Sequence, residues 1–414
     1  MNTIVKKYAC IFLTCTCIGS CISSDFLSLL KSGSIINSHF TETVPFDYSM
    51  GIIIVDVKIN EGNRNYRFIV DTGAGSCVIS KQLFRDHHLE VLAKGNMSSG
   101  RQKESVDYAR LDRLRLGTLV FKEVPAAVMD LSSSPAFKCM RVDGIIGNRC
   151  LHLIPYCIID YKKRHLIVSD APSIIPENDH TKTVPFTLKN GYYPVLKVVF
   201  SSTLHKEFML DLGFSSTSGM DMGIDIDEWS NFKKIYPNLH FIKGNGYTRT
   251  DAFGQVTGTI ICSKVPDILL GELTLPSALI SFQENYNVAN IGNGFLEDYR
   301  VCIDWNKNRL LLTPHPDKKP GASYNGHGLY FMYSEQNSSL VIGLIFDDSP
   351  AQKAGLKVGD RIVAINKQNT TTIDLSQYCN LAVNKFYLNE DLLELKVQRD
   401  KIITFIIKKE CLIE

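Results

Sequence analysis

The sequence predicts a mainly β protein of two related lobes, followed by a smaller domain of different composition. Three observations predict it. A unit of short alternating apolar strands bounded by turn residues occurs twice along the chain. Each copy contains an apolar strand that runs into Asp-x-Gly. A Pro- and Lys-rich stretch then separates the second copy from a segment with helix and turn signals of its own.

The 414 residues suffice for two or three cores. Their net charge is +2, from 45 Lys and Arg against 43 acidic residues, so no field attracts nucleic acid or an anionic membrane. The sequence has no HExxH and no CxxC pair at zinc spacing. His87 and His88 are adjacent and point apart on any regular element, so neither a metal nor a cofactor is expected. The opening MNTIVKKYACIFLTCTCIGSC has Lys6 and Lys7, an apolar stretch and then small residues, which is the order of a secretory signal. That stretch is short for a membrane span. Ile18-Gly19-Ser20-Cys21 resembles a bacterial lipobox, with Cys21 as the lipidated residue and membrane anchor; ordinary cleavage nearby is the other reading. Either one predicts an exported protein of the cell envelope, periplasmic or lipid-anchored at a membrane surface. Of the 12 Cys, Cys10, Cys15, Cys17 and Cys21 belong to the signal. Cys77, Cys157, Cys262 and Cys302 sit in strand-like runs and read as buried thiols. Export permits disulfides, but their pairing is not readable from the sequence.

The expected boundaries are 1–21 for the signal, 22–43 for an N-terminal segment, 44–175 and 180–314 for the lobes, 315–325 for the linker and 326–410 for the last domain. The duplication rests on matched features in one order. Val44-Pro45-Phe46 recurs as Val184-Pro185-Phe186, and the spacing from Val44 to Asp71 equals that from Val184 to Asp211. Leu116-Gly117-Thr118-Leu119 matches Leu270-Gly271-Glu272-Leu273. Ile145-Ile146-Gly147-Asn148 matches Asn290-Ile291-Gly292-Asn293, and CIIDYKKRHLIV matches CIDWNKNRLLL.

Two related lobes bring equivalent loops together, so Asp71 and Asp211 are expected to face each other. Two carboxylates about 3 Å apart cannot both ionise cheaply and share one proton. The ionised member can take a proton from a water, while the protonated one hydrogen-bonds the carbonyl under attack. Gly73 and Gly213 let each backbone turn tightly and bring amides to the carboxylates. The apolar-apolar-Gly segments ending at Gly147 and Gly292 can support the turns from behind.

At Asp71-Thr72-Gly73-Ala74 with Ile145-Ile146-Gly147, and at Asp211-Leu212-Gly213 with the Gly292 turn, the chain resembles aspartic endopeptidases, specifically two retropepsin-like lobes fused in one chain. The resemblance covers residues 44–314. It implies that Asp71 and Asp211 are the catalytic dyad and that Thr72 reaches across to the partner loop. It also implies hairpin flaps, placed at residues 98–106 and 252–258. The second motif departs from the family: Leu212 stands where Thr or Ser is usual, and Phe214 where a small residue is usual. Leu212 cannot make the cross-interface hydroxyl bond, so half of that clasp is missing. An endopeptidase is the leading expectation; a cleft that binds peptide without cleaving it is the alternative.

Beyond the linker, DDSPAQKAGLKVGDRIVAINKQ has Ser349 as an N-cap, Pro350 at the first helical position and Gly355 after the helix. LLELKVQRDKIITFIIKK alternates like a hairpin. This segment is similar to PDZ domains, whose family binds peptides, including protein C-termini, by strand addition. Gly328-Leu329-Tyr330-Phe331 matches the carboxylate-binding loop of that family, with Tyr330 in place of a glycine. Polypeptide substrates or partners are the expected ligands.

Overall fold

The computed structural model describes residues 29–99, 102–176, 178–190, 192–215, 219–316, 323–384 and 390–414. The expected signal with Cys21 lies outside the described residues, as does most of the linker. The chain is mainly β, and the two matched sequence units form two matched lobes.

Each lobe is built around one parallel pairing. Tyr66–Val70 lies parallel to Gly144–Ile146, with Ile69 opposite Ile145. In the second lobe His205–Leu210 lies parallel to Asn290–Ile291, with Met209 opposite Asn290. Both edges of each short Gly-terminated strand are used: Gly144–Ile146 also pairs with Cys77–Ser80, and Asn290–Ile291 with Met222–Asp225. Gly144–Ile146 is apolar and buried throughout, as a strand covered on both faces requires, whereas its counterpart begins with the buried Asn290.

The lobes are joined below the loops by a shared antiparallel sheet. Tyr156–Asp160 pairs with Tyr299–Asp304, placing Ile158 opposite Cys302. Thr41–Asp47 and Lys182–Lys189, the two VPF strands, attach to the outer members of this sheet. One apolar core therefore runs through both lobes, from Val44, Phe46 and Phe68 to Val184, Phe186 and Phe208. Cys77, Cys157, Cys262 and Cys302 are buried free thiols, as expected for small apolar side chains in strands.

The last domain has its own core, including Phe331, Ile342, Ile362, Leu393, Leu395 and Val397. Ser349 caps the helix Pro350–Lys353 by accepting from the Gln352 amide, and Gly355 follows in the left-handed region at φ +86. Leu392–Gln398 and Ile402–Lys408 form the expected hairpin.

This domain is fastened to both lobes. The second-lobe strand Phe241–Asp251 pairs antiparallel with Ser339–Phe346, putting Gly246 opposite Leu344. The approach is close enough that a Cβ on Gly246, which has φ +134, would lie 2.1 Å from the Gly343 carbonyl oxygen. Met220, Ile242, Ile260 and Leu279 of the lobe form one apolar cluster with Leu344, Phe346, Leu412 and Ile413 of the domain. On the other side, Cys139 of helix Pro135–Met140 is disulfide-bonded to Cys379 of helix Leu375–Asn384. Lys138 pairs with Glu335 beside it, at 2.8 Å.

A cross-link between residues 240 apart removes much of the freedom of the unfolded chain. Cys139→Ser is therefore expected to lower stability by about 2–4 kcal/mol. A thermal melt checks this: the variant and the reduced wild type should melt together, below the oxidised wild type. Coincident melts for oxidised and reduced wild type would contradict it.

Candidate active site

Asp71 follows the strand Tyr66–Val70, and Asp211 follows His205–Leu210. Each is hung from the Gly-terminated strand beside it. The Asp71 amide donates to the Ile146 carbonyl at 3.0 Å, and the Asp211 amide to the Ile291 carbonyl at 2.9 Å. The glycines behind the turns have no room for a side chain. A Cβ on Gly147 would lie 2.3 Å from the Ser76 carbonyl oxygen, and one on Gly292 2.5 Å from Phe214 Cδ1. Phe214 thus lies over Gly292, in space that a small residue there leaves open.

The two loops interlock. A Cβ on Gly73 would lie 2.5 Å from Asp211 Oδ1, and one on Gly213 2.7 Å from Asp71 Cγ. The carboxyl groups hydrogen-bond one another. The Gly73 amide donates to Asp71 Oδ1 at 2.6 Å and the Ala74 amide to the same oxygen at 3.2 Å. Its counterpart, the Gly213 amide, donates to Asp211 Oδ1 at 2.8 Å.

The pair is not electrostatically symmetric. Asp211 is 9% exposed, whereas Asp71 is half-buried. Burial pushes both carboxyls above their ordinary value. For Asp211 the charge of Asp71 adds to burial and raises it well above that value. The backbone amide of Gly73 offsets part of the effect for Asp71. Deeper burial and the charge of Asp71 both favour the shared proton on Asp211.

Thr72 is fully buried, and its hydroxyl crosses the interface. It donates to the Leu210 carbonyl at 2.7 Å and accepts from the Leu212 amide at 3.0 Å. Leu212 makes no matching bond; it is buried in the apolar core and lines a small cavity there with Val70, Leu151, Ile159 and Trp305. That half of the clasp is replaced by apolar contact. Two residues to which the sequence assigned no role complete the loops. Asn148 donates its side-chain amide to the Thr72 carbonyl, and Asn293 to the Leu212 carbonyl at 2.8 Å. Each follows its supporting glycine, so the duplicated Gly-Asn pair is the signal that could have identified them.

The expected flap segments lie on hairpins. Residues 98–106 belong to the hairpin of Ala93–Ser99 with Gln102–Leu116, whose residues 100–101 are outside the described set. Residues 252–258 hold the turn and the start of the second strand in the hairpin of Phe241–Asp251 with Gly254–Leu270. Ala252 and Phe253 at that turn cross to the first lobe and pack on its apolar cluster, as does Met97.

In the last domain Gly328 has φ +81, and a Cβ there would lie 2.1 Å from Ser349 Cβ. Leu329 and Phe331 are in the core. Tyr330 packs instead on the apolar cluster that the domain shares with the second lobe: its ring meets Phe346 at 5.5 Å and its hydroxyl the Tyr324 hydroxyl at 3.0 Å. The tyrosine in the glycine position is thus an interface residue. Tyr333 stacks on Tyr378 of the helix at 5.1 Å. Among the described residues, Leu329–Ser334 pairs with a strand on one edge only. Also among the described residues, no group of three or more His, Cys, Asp or Glu side chains is arranged to hold a metal.

Residues 55–149 match the family model of aspartyl proteases, and residues 342–382 that of PDZ domains. A comparison with curated proteins finds no match. Among solved structures, the aspartic proteinase from Irpex lacteus resembles the chain with 13% identity and a TM-score of 0.40, over 67% of this chain and 98% of that one.

Two outcomes test the site. Both carboxyls have folded values above the ordinary 3.8, so their ionisation opposes folding once the pH rises above that value. Asp71→Asn should raise Tm at neutral pH and leave it unchanged below the ordinary carboxylate range; equal shifts at both pH values would contradict the assignment. Thr72→Val leaves the Leu210 carbonyl and Leu212 amide unpaired in a buried interface. Denaturant unfolding should show a loss of about 1–3 kcal/mol, and an unchanged midpoint would contradict the clasp.

Proposed function

We propose that this chain, which joins a retropepsin-like aspartyl-protease fold to a PDZ domain, is an endopeptidase acting through water held between Asp71 and Asp211. The carrying observation is the reciprocal interlock, in which each loop glycine leaves space for the carboxyl of the opposite lobe. Ionised Asp71 takes a proton from the water as it attacks the peptide carbonyl carbon. Protonated Asp211 donates a hydrogen bond to the carbonyl oxygen, which becomes the second hydroxyl of a tetrahedral diol. The proton on Asp71 then passes to the leaving nitrogen as the C–N bond breaks, while Asp211 recovers its proton from a diol hydroxyl, whose oxygen becomes the carbonyl of the new carboxyl group. Neither a metal nor a covalent intermediate is needed. The raised carboxyl values favour mildly acidic to neutral conditions.

The PDZ domain takes substrate or partner peptides, including protein C-termini, by strand addition at the open edge of Leu329–Ser334. Gly328 provides the turn ahead of that strand. The domain also pairs with the second flap strand, so a peptide held there adds to the same continuous sheet, two strands away from that flap. The Cys139–Cys379 disulfide supports an oxidising compartment, and we place the protein in the cell envelope, anchored through lipid on Cys21. The alternative, a peptide-binding scaffold without turnover, is favoured by one feature, the hydroxyl missing at Leu212.

Purified full-length protein should cleave unfolded polypeptides at mildly acidic pH. Asp71→Asn and Asp211→Asn should each reduce the rate about 10³-fold or more. Turnover that survives either change would contradict the mechanism, and peptide binding without turnover at any pH would favour the scaffold.

A further inference from the structure

The supporting turns differ at one position. Ile145 precedes Ile146-Gly147 in the first lobe and is buried in an apolar cluster. Its structural counterpart is Asn290, since Ile69 pairs with Ile145 just as Met209 pairs with Asn290. Asn290 is only 7% exposed, and its Oδ1 has no hydrogen-bond partner among the described residues. A buried amide with an unpaired oxygen opposes folding, and an apolar side chain at this place serves the first lobe. The amide nitrogen has a definite target: Nδ2 donates to Asp211 Oδ2 at 2.6 Å. Phe214, beside it, has no polar side-chain atom to offer.

We propose that Asn290 is a positioning residue for the dyad, which fixes the plane of the Asp211 carboxyl and tunes how firmly it holds the shared proton. The inference rests on the endopeptidase reading and deepens it. The Asn290 N–H holds Oδ2, and the Gly213 amide holds Oδ1. That oxygen is the one closest to Gly73, on the side of Asp71. Held at both oxygens, the carboxyl plane cannot rotate freely, and Oδ1 stays at the shared site where a substrate carbonyl can meet it.

Asn290 is itself held. Its Nδ2 also donates to the Tyr286 hydroxyl at 3.0 Å. Tyr286 is buried, and a Cβ on Gly223 would lie 3.0 Å from that hydroxyl, so glycine leaves the room it needs. The Arg249 guanidinium lies 4.9 Å from the centre of the Tyr286 ring. Arg249 belongs to the flap strand Phe241–Asp251 and donates to the carbonyls of Glu284 at 3.2 Å and Asn285 at 2.8 Å. The support of Asp211 therefore ends on the strand that also pairs with the PDZ domain. The charged and titratable groups around it are Asp71 and Tyr286, with Arg249 and its ion-pair partner Asp251 behind the tyrosine and Tyr193 facing Asp71.

The test is the pH dependence of kcat and kcat/KM for full-length wild type, Asn290→Leu and Tyr286→Phe. An N–H donated to a carboxylate stabilises its ionised form, so removing it makes Asp211 hold its proton to higher pH. Asn290→Leu should move the upper limb of the profile up by about one pH unit. It should also lower kcat about tenfold with KM within about twofold. Tyr286→Phe keeps the ring under Arg249 and should shift the limb in the same direction by less, which serves if Asn290→Leu does not fold. An unmoved limb in a folded variant overturns the proposal. Should wild type cleave nothing, the endopeptidase reading fails by itself. Carbon-13 titration of the Asp211 carboxyl in the full chain then still decides the positioning role: a higher midpoint in Asn290→Leu supports it, and an equal one overturns it.

Discussion

The structure depends on two carboxyl groups being taken out of water and set against each other at the meeting of two lobes. Such a pair is unfavourable unless one proton is shared and the remaining charge is met by hydrogen bonds. The backbone amides of Gly73, Ala74 and Gly213 supply those bonds, and they reach the carboxyls only because the loops have no Cβ at Gly73 and Gly213. The Thr72 clasp and the shared sheet below hold the lobes in the register this needs. Under the proposed function, activity and stability therefore pull in opposite directions at one place.

The PDZ domain is part of the same mechanical unit. One of its strands extends the sheet of the second flap, its apolar residues share a cluster with the second lobe, and a disulfide fastens its helix to the first. The flap tip in turn packs on the first lobe through Ala252 and Phe253. A displacement of any one of these parts has to be accommodated by the others, because close-packed contacts tolerate little deformation.

Much of this was legible in the sequence, for a physical reason. Duplication makes weak signals mutually supporting: Asp211-Leu212-Gly213 alone is a strand end, but its correspondence with Asp71-Thr72-Gly73 predicted the meeting that the structure shows. Alternation predicted the β lobes, and the N-cap at Ser349 placed the PDZ helix. Three features were not legible. Cys139 and Cys379 carry no local pattern that reveals a partner so distant in sequence. The union of Phe241–Asp251 with Ser339–Phe346 depends on strand edges, which periodicity does not report. Asn290 resembles a turn residue in sequence, and only the fold shows that its amide meets Asp211. Tyr330, a departure from the PDZ pattern, packs on the apolar cluster shared between that domain and the second lobe.

The most direct measurement is a crystal structure of the full-length protein with a peptide in which a hydroxyethylene group replaces one amide. The account predicts that the peptide lies in the cleft with its hydroxyl within hydrogen-bonding distance of both Asp71 and Asp211. A peptide bound elsewhere, or a hydroxyl contacting neither carboxyl, would contradict it.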